Sequence, residues 1–291
     1  MQSQAPCTIF SEVRVLFETV VASNSVVYVR SDIIRSRHAF ATRIGGVSRE
    51  AHTSALNLAF GRGEDDSVVL DNLSRFADAV GFDKKSVISL PQIHSANIVE
   101  VGKADRGRGY FKNPCGECDG YVTTESGVTL GVKTADCVPI ILEAADENGR
   151  IIAVSALHAG WRGTVAGIAE NGVKALIDKG AQACRIHAAI GPCIGPCCFE
   201  VGEEFPEAVE KARGRHFAEK FVVRRGERLL ADIRCMNFQI LVNCGVSAKN
   251  IDVSDECTYC LEDKYYSHRR MRGVRGTMLS VVEMSKWRDL E

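Results

Sequence analysis

The sequence predicts a single α/β domain, and three observations carry that expectation. Short apolar runs of strand length alternate with helix-periodic runs from residue 26 to the tail. No internal repeat, low-complexity tract or linker interrupts them. A long hairpin signal holds the centre: residues 138–142 are apolar, Asp146-Glu147-Asn148-Gly149 makes a turn, and residues 151–157 are apolar again. A hairpin brings its outer ends together, so Cys137 and His158 become neighbours although 20 residues separate them.

In chain order, residues 26–29 and 38–41 read as strands, the second running into Thr42-Arg43-Ile44-Gly45-Gly46-Val47-Ser48. Residues 67–80 have apolar side chains at Val69, Leu73, Phe76 and Val80 and form a helix stopped by Gly81. Strands at 87–90 and 97–101 flank Gln92-Ile93-His94-Ser95, so His94 sits at a strand junction. Residues 103–117 are rich in Gly and charge and form a loop, which exits through Asp119-Gly120 into a strand at 121–124. After the hairpin, 163–177 reads as one helix, 186–190 as a strand and 202–213 as a helix. A strand at 221–223 and a helix at 232–243 precede a tail with Cys257-Thr258-Tyr259-Cys260 and Tyr265-Tyr266-Ser267-His268-Arg269-Arg270. Residues 1–25 carry no motif, and the segment 1–30 is part of, or leads into, a domain spanning 31–285.

Composition narrows the class. An apolar fraction of 45% with 25% charged residues is that of a soluble globular protein. A net charge of −1 argues against nucleic acid or an anionic membrane as the main partner. The basic stretch 264–275 reads as a solvated face or a local anion site. No apolar run approaches the ~18 residues of a membrane span, and the N-terminus lacks the pattern of a signal peptide. The twelve cysteines are therefore expected to be mostly reduced, in a cytoplasmic protein.

Four groups of residues compete as chemical sites. Pro114-Cys115-Gly116-Glu117-Cys118 matches half of a zinc deaminase signature, but no histidine is followed by x-Glu to complete it. Joining Cys115/Cys118 to Cys257/Cys260 as a zinc site demands a spacing far from that of zinc ribbons. Cys193, Cys197 and Cys198, bounded by Gly and Pro, are expected to shape a loop. The fourth group is His94, Cys137 and His158. Two imidazoles and a thiolate leave one tetrahedral position open, which suits catalytic zinc, and the same set suits a blue-copper centre. A multicopper oxidase needs many more histidines in close pairs, and the chain has seven, scattered. That arithmetic favours Zn²⁺ over Cu²⁺.

Anion binding is expected on both sides of this trio. Arg43 with the Gly45–Gly46 backbone can face an anion, or the segment can be a plain tight turn. After His158, Gly160-Trp161-Arg162-Gly163-Thr164 opens a helix whose free N–H groups, with Arg162, can bind phosphate.

Gln92-Ile93-His94-Ser95, Thr134-Ala135-Asp136-Cys137-Val138-Pro139, His158-Ala159-Gly160-Trp161-Arg162-Gly163-Thr164 and Gly191-Pro192-Cys193-Ile194-Gly195 resemble the signature blocks of one family. It comprises proteins once called multicopper polyphenol oxidases or laccase-domain proteins and now read as purine nucleoside phosphorylases, including bacterial peptidoglycan-editing factors. The matches run from about residue 37 to 275. The resemblance implies a layered α/β/β/α single domain with mixed sheets and a zinc site formed by His94, Cys137 and His158. It also implies phosphorolysis of adenosine, inosine and S-methyl-5'-thioadenosine, with adenosine deamination in the same pocket. Arg43, Asp119, Asp136 and Arg162 are then the catalytic candidates. Arg43, Gly45, Gly46, Gln92, Trp161 and Arg162 are the candidates for binding substrate and phosphate. Purine nucleosides and phosphate are the expected partners of a monomer or homodimer. Two rivals stay open: a cysteine-type amide hydrolase acting on peptidoglycan precursors through Cys137 and His158, and a zinc-stabilised binding protein.

Overall fold

The structure, a computed structural model, describes residues 17–286. Residues 1–16 of the segment expected to lead into the domain lie outside the described residues. The chain opens with β1 (Phe17–Val21), β2 (Val27–Ser31), β3 (Ser36–Ala41) and α1 (Asp66–Val80). Short strands β4 (Val87–Ile88) and β5 (Ile98–Glu100) follow, then β6 (Gly120–Thr123) and β7 (Thr129–Thr134). The central hairpin is β8 (Val138–Ala145) and β9 (Ile151–Ala159), leading to α2 (Trp161–Ala166) and α3 (Ile168–Ile177). The second half holds β10 (Ile186–Ile190), β11 (Glu200–Val201), α4 (Glu204–Arg213), α5 (Arg215–Phe221), β12 (Val222–Arg225) and β13 (Arg228–Ala231). It ends with α6 (Ile233–Asn243), β14 (Ile251–Val253) and β15 (Met278–Lys286).

Two six-stranded mixed sheets form the middle layers, in the orders β1-β2-β3-β15-β7-β4 and β14-β10-β8-β9-β6-β5. Side chains along each strand alternate between two layers, because successive residues point to opposite faces. On β8, Ile141 meets Phe40, Leu130 and Val282 of the first sheet, while Ile140 and Leu142 turn outward to Val173 and Leu176 of α3 and Leu241 of α6. On the far side, Ala39, Leu279 and Val281 of the first sheet pack against Val69, Leu73 and Phe76 of α1. The result is the layered α/β/β/α architecture. A strand buried on both faces reads as a continuous apolar run, and β8 is buried along all eight residues.

One local expectation is corrected. The helix expected at 163–177 is two helices that begin at Trp161 and are broken at Gly167, whose φ of 99° is open to glycine and ends α2 after six residues. The strand expected at 221–223 is β12, which begins one residue later, follows α5 directly and forms one edge of a small third sheet, β11-β13-β12. Strands β1, β7, β14 and β15 have weak local signals and are defined by pairing. β15 lies between β3 and β7 and bonds to both.

Candidate active site

The hairpin register sets the site. Val138 pairs with Ala159 and Pro139 with His158, so Cys137, one step before β8, lies beside His158. His94 arrives from the loop between β4 and β5. Its Nε2 is 3.8 Å from Cys137 Sγ, and its ring meets that of His158 edge-on with centroids 4.8 Å apart. One ligand atom from each of the three lies within 4.8 Å of the others, a spacing that can hold a metal ion.

Asp119 is what brings His94 there. Its fully buried carboxylate accepts hydrogen bonds from the backbone N–H groups of Ile93 (3.2 Å), His94 (3.0 Å) and Ser95 (2.6 Å) and from Ser95 Oγ (2.7 Å). The loop is thereby held with His94 at a φ of 61°, a left-handed conformation that a non-glycine residue adopts only under constraint. The same carboxylate lies 2.7 Å from His158 Nδ1, which leaves Nε2 as the nitrogen free to ligate. Burial pushes the Asp119 carboxyl up, but the donors from His158 and Ser95 outweigh it and hold it down at about 2. Burial likewise opposes ionisation of Cys137, yet the His158 and His94 imidazoles pull its thiol down to about 6. The donor set therefore fits a metal: a thiolate held by its neighbours and a histidine with a fixed tautomer.

Asp136, immediately before Cys137, has a parallel role. Its φ is 91°, and its carboxylate accepts from Thr258 Oγ1 (2.7 Å), Ser267 Oγ (2.9 Å) and the Arg269 N–H (2.7 Å). Sequence alone does not separate the two aspartates. In the structure both are orienting groups saturated with donors.

The trio opens on a cavity of about 510 Å³, within the range of small-molecule sites. Its wall carries four cations, Arg62, Lys133, Arg269 and Arg275, against one carboxylate, Asp136. Arg62 Nε and Arg275 Nε are buried without a hydrogen-bond acceptor among the described residues. Burial and the nearby Arg62 lower Lys133 to about 8 and Arg275 to about 10. Like charges crowded together in this way, with donors unspent, are matched by an anion. Phe60 and Phe199 add apolar wall, and Gln92 lines the cavity while exchanging hydrogen bonds with the Lys133 backbone (2.8 and 2.7 Å).

The other expected anion-binding residues are not in that wall. Arg43 spends its guanidinium on the carbonyls of Ser54 and Glu262 and lies over the Tyr266 ring. A Cβ at Gly45 would meet Ser25 O at 2.3 Å and one at Gly46 would meet Ala55 O at 2.2 Å, so both glycines permit close backbone packing. Arg162 lies exposed over the Trp161 ring, and Trp161 packs on Phe205. The cations that do face the cavity come from the polar loop after Gly61, from β7 and from the basic stretch before β15. Only the basic stretch carries a sequence signal, as a local anion site.

The thiols outside the trio are also redistributed. Cys115 is exposed and Cys118 buried, and neither joins a metal-capable group among the described residues. Cys197 and Cys198, expected only to shape a loop, converge with Cys257 and Cys260. No helix among the described residues is long and apolar enough to cross a membrane.

A layered α/β/β/α chain whose hairpin end carries a metal-capable Cys/His₂ group beside a cationic cavity defines a narrow class of proteins. The chain belongs to the family described as multi-copper polyphenol oxidoreductase laccase, whose sequence model matches residues 37–285. It is 37% identical over 238 residues to "Adenosine deaminase RL5" from an unknown prokaryotic organism, covering 80% of this chain and 88% of that protein. It is 34% identical over 244 residues to "Purine nucleoside phosphorylase YlmD" of Geobacillus stearothermophilus, covering 83% and 87%. The solved structure of YlmD from that organism superposes with a TM-score of 0.81 at 30% identity, over 93% of this chain and 99% of that one.

Proposed function

We propose that this protein is a zinc-dependent purine nucleoside phosphorylase. It converts adenosine, inosine and S-methyl-5'-thioadenosine with phosphate to free base and (methylthio)ribose 1-phosphate, and it also deaminates adenosine. The observation that carries the reading is the set Arg62, Lys133 and Arg275 facing one cavity beside His94, Cys137 and His158. Phosphorolysis forms a bond from a phosphate oxygen to the ribose anomeric carbon as the bond to the purine breaks. The three cations hold the phosphate and spread its charge, and the walls of Phe60 and Phe199 suit a purine base. Burial and Arg275 disfavour the charged form of His268, so it faces the cavity as a neutral hydrogen-bonding group. His94, Cys137 and His158 hold zinc, with Asp119 orienting His158 and Asp136 tying the Cys137 turn to the tail. Bound there, zinc supplies Lewis-acid polarisation of a substrate or water oxygen. Arg43 and Arg162 act from outside the cavity, fixing the Ser54 loop and Trp161. The working unit is residues 31–285, entered through 1–30, in a cytoplasmic monomer or homodimer without nucleic-acid or membrane partners.

One incubation tests this reading. Zinc-assayed protein is given adenosine with and without phosphate, and the products are separated by chromatography. Adenine and ribose 1-phosphate only with phosphate, and inosine in either tube, are expected; Cys137→Ala should abolish both reactions together with zinc binding at this site. The depressed Cys137 thiol beside His158 favours a second reading, an amide hydrolase acting on peptidoglycan precursors. No nucleoside turnover, with inactivation by alkylation of Cys137 and no metal loss, would select it.

A further inference from the structure

The turn after β10 and the tail after β14 meet through four thiols. Cys198 Sγ is 3.4 Å and Cys197 Sγ 3.7 Å from Cys260 Sγ, and Cys257 completes a group whose sulfurs all lie within 4.8 Å of one another. Four thiolates around one tetrahedral ion with metal–sulfur bonds of about 2.3 Å are separated by about 3.8 Å. The sulfur–sulfur distances in this group, from 3.4 Å to within 4.8 Å, bracket that edge. They also far exceed a disulfide bond of about 2.05 Å. An iron–sulfur cluster sets its cysteine sulfurs around several atoms, farther apart than this group allows.

We propose that Cys197, Cys198, Cys257 and Cys260 form a second metal site, binding a single zinc ion that clamps the turn to the tail. The surroundings suit a tetrathiolate. Gly195 N–H points at Cys257 Sγ at 3.2 Å, a donor that stabilises a thiolate. A Cβ built on Gly195 would stand 3.3 Å from Cys197 Sγ and 3.5 Å from Arg234 Nη2, so the buried Arg234 guanidinium borders the group and offsets its charge. The backbone is set beforehand: Cys198 N–H and Phe199 N–H bond to Gly195 O, and Leu261 N–H bonds to Cys257 O. Soft thiolates select zinc over hard cations, and with all four positions filled by protein the ion is structural, with no open site for substrate. Binding exchanges the thiol protons for the ion.

The clamp reaches the cavity on both strands of the connection. Phe199, next to Cys198, belongs to its wall. Thr258, next to Cys257, donates to Asp136.

The test reads metal, not turnover. Protein carrying Cys137→Ala, which removes the Cys/His₂ group, is loaded with cobalt(II). Intense thiolate-to-cobalt charge-transfer absorption with one equivalent of metal per chain is expected, and Cys260→Ser added to this background should remove both. The unsubstituted chain guards against misfolding of the variants. A strong chelator should expose five additional thiols to alkylation, these four and Cys137, and lower its melting temperature. Free alkylation of Cys197, Cys198, Cys257 and Cys260 themselves before chelation, or a mass loss of two hydrogens marking a disulfide, would overturn the proposal. Neither result bears on the nucleoside assay, so the two readings fail separately.

Discussion

Lys133 is where a single residue has the clearest consequence. A lysine ordinarily keeps its charge to pH ~10, but burial and Arg62 lower this one to about 8. In the proposed reaction it is the protonated form that holds phosphate, so charge and binding are present below the shifted value and lost above it. For phosphorolysis, kcat/KM for phosphate should fall by about tenfold per pH unit above 8, since this parameter titrates the free enzyme. Lys133→Met should remove that inflection and cost roughly 10–100-fold at neutral pH, the range for a charged hydrogen bond. An unchanged profile in the variant would take Lys133 out of the anion site. Neither Lys133 nor Arg62 stands out in the sequence, because a lone cation in a polar loop or on a strand has no pattern. Their convergence is a property of the packed chain.

At the scale of the element, the hairpin β8–β9 and the turn into α2 do most of the positioning. Gly160 sits where the turn passes the trio: a Cβ there would stand 2.6 Å from His94 Cδ2 and 3.3 Å from Cys137 Sγ. Its φ of −62° suits any residue, so the constraint is one of space alone. Gly160→Ala should therefore displace His94 and weaken metal binding by the trio, tested with zinc, by about 10–100-fold, the range for disturbed ligand orientation. Competition with a chromophoric chelator measures this, and wild-type affinity would show that the loop yields freely. The hairpin is legible in the sequence because turn chemistry and strand pairing are local. The break at Gly167 is less so, since one glycine within a periodic run reads as a tolerated defect until its φ is seen.

Across the whole molecule, the two sheets are joined by polar contacts as well as by apolar packing. Glu143 of β8, fully buried, accepts from Arg35 Nε at 3.1 Å and from Ser36 N–H at 2.6 Å, both at the entry to β3 in the other sheet. Arg35 is partly exposed and rehydrates if the carboxylate is lost, whereas the Ser36 N–H does not. Glu143→Ala should then destabilise the fold by about 1–3 kcal/mol, the cost of one unsatisfied buried donor. The urea midpoint should drop with an unchanged slope. An unchanged midpoint would assign the junction to apolar packing alone.

By itself the sequence determined the α/β class, the central hairpin, and through it the meeting of Cys137 with His158, along with the blocks that mark the family. All of these depend on contacts within a few residues or on a register fixed by one turn. Only the tertiary structure decided that Asp119 carries His94 to that pair, that Arg62, Lys133 and Arg275 face the cavity in place of Arg43 and Arg162, and that Cys197 and Cys198 meet Cys257 and Cys260. Those partners come from loops far apart in sequence. Where such loops end is set by the layers they cross, so no local pattern records it.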